Sequence, residues 1–288
     1  MNLVHAVASK LGLMRAYNDV KKLRLLMLEN FINAQLSQNP RYLEPRRLQR
    51  YEQQVFSQNG EDGIIHEIFE RIGLTNKYFV EVGAADGQEN NTTALLLDGW
   101  GGFWLEADEK LVTSAQENFK DFLQQKKLFI QQSFVTCENI EKLFRSANVP
   151  KEFDFLSIDI DGNDYWIWKR LEGYRPRVLA LEYNGSFGSF IEWVRPYNPN
   201  SVWDNSSFGG ASLKSFQILG DKMGYKLVGC NFSGVNCFFV REDVIGGKFL
   251  PPYTSENHFE TPRGDLLYKV GYKRDYRVFK AAARKEEK

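Results

Sequence analysis

From residue 51 onward, short apolar runs alternate with amphipathic stretches, and this alternation constrains the fold more than any other feature. Tyr78–Val82, Gly102–Glu106, Leu128–Ile130, Phe153–Asp159 and Val178–Tyr183 read as strands. Around them, 62–72, 92–97, 109–122, 138–147 and 165–171 read as helices. In the first of these, Ile64, Ile65, Ile68, Phe69 and Ile72 return at helical steps and mark one buried face. Strands separated by helices need crossover connections, which give a parallel sheet covered on both faces. A helix over 213–223 then leads to Tyr225–Cys230 and Asn236–Val240. These flank the turn-forming Asn231-Phe232-Ser233-Gly234, the spacing of a β-hairpin.

The expected fold class is therefore α/β. It is a Rossmann-like doubly wound sheet, mostly parallel, with an antiparallel C-terminal hairpin and an N-terminal helical arm. The chain divides into an arm over 1–50, a body over 51–245 and a C-terminal extension over 246–288. In the arm, Leu13, Ala16, Val20, Leu23 and Met27 share one helical face, and Gly12 interrupts the helix. So short a segment cannot bury that stripe alone. The body, a second subunit (a homodimer) or a membrane surface would have to cover it.

Net charge is +0 over 288 residues, but it is unevenly spread. Residues 1–50 carry nine Lys/Arg against three Asp/Glu, and 268–288 carry eight against three. Basic ends flank an acidic body. They read as solvated helix ends, or as attraction to an anionic surface, with peripheral membrane contact through the arm as one form. No RNA- or DNA-binding motif is present, so no nucleic-acid partner is expected. No apolar run approaches ~18 residues, which excludes a membrane span of that kind. Cys137, Cys230 and Cys237 form no Cys-x-x-Cys pair, and no signal peptide stands out, so a reducing cytoplasm is expected.

The first strand runs into Glu81-Val82-Gly83-Ala84-Ala85-Asp86-Gly87. Small residues after a parallel strand let a ligand approach the backbone. Only Gly83 and Gly87 stand, spaced G-x-x-x-G, so neither the dinucleotide fingerprint nor a P-loop is met. Glu81 and Asp86 argue against a phosphate and suit a ligand with a cationic end. Glu106, 23 positions beyond Gly83, can accept hydrogen bonds from both hydroxyls of a ribose. Asp108 reads as a helix cap. Ser133 and Phe134 follow the third strand and can meet an adenine, with core packing the alternative for Phe134.

Four segments carry a resemblance. They are Phe56-Ser57-Gln58-Asn59-Gly60-Glu61-Asp62, Phe79 to Gly87, Ser157-Ile158-Asp159-Ile160-Asp161-Gly162, and Leu181-Glu182-Tyr183-Asn184. Together they resemble the seven-stranded S-adenosylmethionine-dependent methyltransferases and, within these, the FkbM-like group, over roughly 51–245. The resemblance implies S-adenosylmethionine as cofactor, held by Gln58, Asn59, Glu81, Gly83, Asp86, Gly87, Asn91, Glu106, Ser133, Phe134 and Asp159. It implies an O-methyltransferase whose acceptor is a sugar hydroxyl of a glycan or glycosylated metabolite. A protein, lipid or phenol acceptor stays open, as does a non-catalytic binding module.

Asp159 and Asp161 end the fourth strand, and Glu182 and Asn184 end the fifth. Neighbouring strands bring them together beside the cofactor. Such oxygen ligands suit Mg²⁺ or Mn²⁺, similar to the metal site of catechol O-methyltransferase. Gly162 stands where those enzymes often place a Lys or His base. Asp161, with Asp159 and Glu182, is the expected catalytic group, as base or metal ligand. Residues 184–212 form a long excursion with Phe187, Phe190, Trp193, Tyr197, Trp203 and Phe208, whose aromatic faces suit sugar rings. Arg195 and Asp204 are its candidate acceptor contacts. His258 reads as an exposed loop residue, or as a base folded over the site.

Overall fold

The structure is a computed structural model and describes residues 12–202 and 208–263. Seven strands form one sheet: β1 (Tyr78–Val82), β2 (Gly101–Glu106), β3 (Leu128–Gln132), β4 (Glu152–Ile158), β5 (Arg175–Glu182), β6 (Tyr225–Cys230) and β7 (Asn236–Arg241). Their spatial order is β3-β2-β1-β4-β5-β7-β6. β1 to β5 run parallel, and β7 enters antiparallel between β5 and β6. This is the expected doubly wound α/β sheet with a C-terminal hairpin. The antiparallel strand is the inner one of the hairpin, and β6 forms the edge. Strand order reverses between β1 and β4, the switch point at whose carboxyl ends such sheets bind ligands.

The main helices are α1 (Leu13–Gln38), α2 (Glu61–Ile72), α3 (Thr93–Leu97), α4 (Glu109–Asn118), α5 (Lys120–Gln124), α6 (Ile140–Ser146), α7 (Asp164–Arg170) and α8 (Leu213–Met223). The stretch expected as one helix over 109–122 is two. The chain breaks at Phe119, which is fully buried with its ring edge-on to Trp104, 4.8 Å between centroids. Asp108 caps α4 through the N–H groups of Lys110 and Leu111, and Ser212 caps α8 through that of Ser215.

Alternation along the strands builds a core on each face of the sheet. Val80, Val82, Leu156 and Ile158 enter one cluster, and Phe79, Phe155, Val178 and Ala180 the other. Each large side chain so buried contributes about 1.5–3 kcal/mol. Residues 246–263 stay with the body, and Phe249 is fully buried in the second cluster.

The body does not cover the arm's stripe. Leu13, Val20, Leu23 and Met27 are 59–72% exposed. A 26-residue helix is roughly 39 Å long, and only its C-terminal turns meet the body, where Phe31 lies 6.2 Å from Phe232. The segment after α1 is anchored more firmly. Arg41 and Tyr42 both bond the buried carboxylate of Glu260, at 3.1 and 2.7 Å, and Arg263 bonds it at 3.0 Å. Burial and the Glu260 charge push the Tyr42 hydroxyl up to about 12. Among the described residues no helix is long and apolar enough to cross a membrane. The basic stretch 268–288 lies outside the described residues.

Candidate functional site

The loop after β1 is fixed by its own backbone. Gly83 has φ 89°, and its N–H donates to the Leu105 carbonyl at 2.8 Å. A Cβ on Gly83 would lie 1.8 Å from the Asp159 carbonyl oxygen, so the loops after β1 and β4 touch there. Gly87 is held from behind: a Cβ would sit 2.6 Å from the Phe119 ring and 2.7 Å from Trp104. Its small size serves packing.

Glu106 joins three segments. Its carboxylate accepts the N–H groups of Ala85 (2.8 Å), Ala107 (2.7 Å) and Asp108 (2.9 Å). Its carbonyl accepts the N–H of Ser133 at 2.8 Å, bringing the end of β3 alongside. Phe134 is 48% exposed, so core packing does not explain it. Asp86 accepts from the backbone and side chain of Gln88.

Glu81 lies beneath the loop rather than on its open side. It shares a strand face with Phe79 and is 2% exposed. One oxygen accepts the Asn91 N–H at 2.9 Å and the other the Thr92 hydroxyl, which also accepts from the Trp104 indole at 2.7 Å. Burial pushes its carboxyl up to about 8, against the pull of those hydrogen bonds. The Asn91 amide donates to the Ser157 hydroxyl at 3.0 Å. Its neighbour Asn90 was not anticipated. Its oxygen caps Thr93, while its buried Nδ2 has no partner.

Gln58 and Asn59 sit on a loop pinned by acids. One Asp62 oxygen accepts the N–H groups of Val55, Phe56 and Ser57 and the Ser57 hydroxyl. Glu61 accepts the Asn59 N–H at 2.8 Å, and its other oxygen accepts the amides of Asn231 and Asn236. Asn236 pairs with Glu182 in the sheet, so this loop reaches the ends of β5 and β7. Gln58 is exposed and Asn59 half-buried.

The three carboxylates of the expected acidic cluster come together. Ile158 pairs with Leu181, which sets Asp159 opposite Glu182. Carboxylate oxygens of Asp159, Asp161 and Glu182 all lie within 4.8 Å of one another. Asp161 has φ 57°, the left-handed region that costs a non-glycine residue about 1–3 kcal/mol. Asn184 is engaged elsewhere: its amide donates to the Gly209 carbonyl at 2.8 Å and accepts the Ser186 N–H at 3.1 Å.

Solvent reaches Asp159 and Asp161, yet the surrounding protein displaces much of their hydration. Desolvation is the main force raising all three carboxyls, and mutual repulsion adds to it for Asp159 and Glu182. The nearby Asp159 charge raises Glu182 further, since two neighbouring carboxylates resist ionising together. The sequence reading missed Asp164. It is buried, accepts the N–H groups of Ile160 (2.9 Å) and Gly162 (3.0 Å), and so holds the turn that presents Asp161. The repeated Asp in Asp159-Ile160-Asp161-Gly162-Asn163-Asp164 was its signal.

The excursion folds over this turn. Phe187 stacks on Trp193 at 4.4 Å, and Phe208 meets Trp193 edge-on at 5.6 Å. Tyr197 bonds Glu138 and the N–H of Cys137, tying the excursion to the segment after β3. Trp203 and Asp204 lie outside the described residues. His258 is neither exposed nor near the cluster's bonds. It is 1% exposed, its Nε2 lies 3.1 Å from the Leu250 carbonyl, and burial pushes its imidazole down to about 3.

No family model and no curated protein matches the chain. Solved structures similar to it include the N-terminal domain of EvdMO1 with SAH bound, at 15% identity and a TM-score of 0.40, covering 62% of this chain and 79% of that one. An O-methyltransferase from Bacillus cereus in complex with SAH matches at 15% identity and a TM-score of 0.42, with the same coverage. The methyltransferase domain of bacterial CtHen1-C matches at 13% identity and a TM-score of 0.39, covering 64% of this chain and 97% of that one. At such scores these likenesses add nothing to the strand order, on which the fold assignment rests.

Proposed function

We propose that the chain is an S-adenosylmethionine-dependent O-methyltransferase that acts on a sugar hydroxyl of a glycan or glycosylated metabolite. One observation carries this reading: the loop after β1 and the acidic loop after β4 are in backbone contact, at Gly83 and Asp159. A cofactor on the first loop is thereby set beside three carboxylates on the second.

The residues fit the cofactor. The buried Asn90 Nδ2 lacks a partner, Phe134 offers an open ring, and Glu106 sits at the end of β2. When bound, the cofactor supplies a methyl group already attached to a good leaving group, a sulfonium. The protein's task is to align a hydroxyl and take its proton. Asp161 is the group placed to accept that proton, since desolvation strengthens its basicity. Asp159 and Glu182, whose carboxylate oxygens lie within 4.8 Å of those of Asp161, hold the hydroxyl beside it. The three-carboxylate donor set also suits Mg²⁺ or Mn²⁺, which would lower the pKa of a hydroxyl. The stacked Phe187 and Trp193 offer apolar faces of the kind sugar rings pack against.

Labelled cofactor incubated with nucleotide sugars and oligosaccharides tests the proposal. Label transfer to a sugar, lost in Asp161→Asn, is the expected result. Failure of the wild-type chain to bind S-adenosylmethionine in calorimetry would overturn it.

A further inference from the structure

Arg195 is fixed at both ends of its backbone. Its N–H donates to the Gly210 carbonyl at 3.0 Å, and its carbonyl accepts the Trp166 indole at 2.8 Å. Its guanidinium lies 5.4 Å from the Phe208 ring centre. Among the described residues the buried Nη1 of that guanidinium has no hydrogen-bond partner. The rest of the residue is partly open to solvent.

Ser201 repeats the pattern. It is 9% exposed, and its hydroxyl is buried without a partner among the described residues. Both groups aim at the same spot on the acidic loop. A Cβ on Gly162 would lie 3.3 Å from the Arg195 Nη1 and 3.2 Å from the Ser201 Oγ. The missing side chain at Gly162 is what lets them approach.

An unpaired buried donor is costly, and two converging ones are best explained by a ligand that supplies the acceptors. A guanidinium presents a planar fork of donors that matches a carboxylate or phosphate. We infer that Arg195 and Ser201 form a subsite for an anionic group on the acceptor, a carboxylate or a phosphate. This rests on the acceptor reading above and narrows it to charged sugars. The neighbouring charges orient such a molecule. Asp159, Asp161 and Glu182 repel its anionic end and accept its hydroxyl, while Arg195 attracts the anion.

The test uses the full chain without cofactor, so it does not depend on methyl transfer. Glucuronate, glucose 6-phosphate and glucose are titrated separately, followed by calorimetry or NMR. The expected result is at least tenfold tighter binding of one anionic sugar than of glucose, falling below twofold in Arg195→Gln. Preference for glucuronate identifies a carboxylate, and preference for glucose 6-phosphate a phosphate. Should Arg195→Gln not fold, Arg195→Lys keeps the charge without the fork, and Ser201→Ala removes only the hydroxyl. Each should reduce the preference several-fold. Equal binding of the three sugars, no binding of either anion, or a preference unchanged in the variants would overturn the assignment.

Discussion

The carbonyl oxygen of Asp159 occupies the space next to Gly83, 1.8 Å from where a Cβ on that glycine would sit. Two loops that must cooperate therefore meet through backbone, with no side chain between them. In Gly83→Ala the methyl group meets a carbonyl that cannot swing away, at a φ of 89°. The positive φ alone costs about 1–3 kcal/mol. The variant should lose at least that much in urea unfolding, and cofactor affinity should fall with it as Asp159 is displaced. Unchanged stability and affinity would show that the two loops are independent.

Glu81 gives the fold a pH dependence. Its carboxyl is buried and raised to about 8. Between the ordinary carboxylate range and pH 8, the unfolded chain releases this proton while the folded chain keeps it. Its stabilising contribution is full at acid pH and is lost as pH rises, by up to ~1.4 kcal/mol per unit. Asp164, raised to about 6, adds a contribution of the same sign. Glu81→Gln mimics the protonated form and can still accept from Asn91 and bond Thr92. Urea midpoints measured from pH 5 to 8 should fall in the wild type and flatten in the variant.

Glu106 holds three backbone N–H groups at the end of β2, and the proposed function sets a ribose against it. Glu106→Ala should weaken S-adenosylmethionine binding by roughly 1.5–3 kcal/mol, because the lost bonds involve a charged acceptor. Calorimetry reads this directly, and binding of NAD in place of S-adenosylmethionine would count against the cofactor assignment.

On the proposed function, Asp161 serves catalysis and not cofactor binding. Asp161→Asn should lower turnover at least tenfold while cofactor affinity stays within twofold. If the three carboxylates hold a divalent ion, a chelator abolishes activity and Mg²⁺ or Mn²⁺ restores it. If they act without one, the chelator leaves the rate unchanged and the variant is still slow. A wild-type rate in Asp161→Asn would remove this residue from the mechanism.

Val20 and Met27 leave most of their surface open to solvent, at 63% and 72% exposed. Replacing both by Lys should leave the unfolding free energy from urea titration within ~0.5 kcal/mol of the wild type, as for other surface changes. A fall in apparent mass by light scattering would then identify a second copy on the stripe.

The strands were legible because buried parallel strands read as dense apolar runs, such as Val178-Leu179-Ala180-Leu181. The acidic cluster followed from strand adjacency, since Asp159 and Glu182 end neighbouring strands. The same logic, carried one step further, places Glu81 on the inner face with Phe79, because side chains alternate along a strand. The turn residue Asp164 was hidden by its position at the start of α7, where an acid is expected for helix reasons alone. The sequence singles out Arg195 in the excursion, but nothing local marks Ser201 as its companion, since the excursion lacks periodicity and its packing depends on Gly162, more than thirty positions away. His258 looked like a loop residue because its cover comes from segments distant in sequence, including Arg47, whose guanidinium bonds Asn257 at 2.8 Å.

The anchoring of Arg41 and Tyr42 on Glu260 sets a clock on biosynthesis. The partners are 219 and 218 residues apart, so the early segment leaves the ribosome long before its acceptor exists. At ~5–20 residues per second the wait is roughly 10–40 s. Throughout that interval α1 and the segment after it have no finished docking surface, and their apolar side chains are open to chaperones. Docking of the early segment therefore waits on Glu260, a carboxylate made long after its partners.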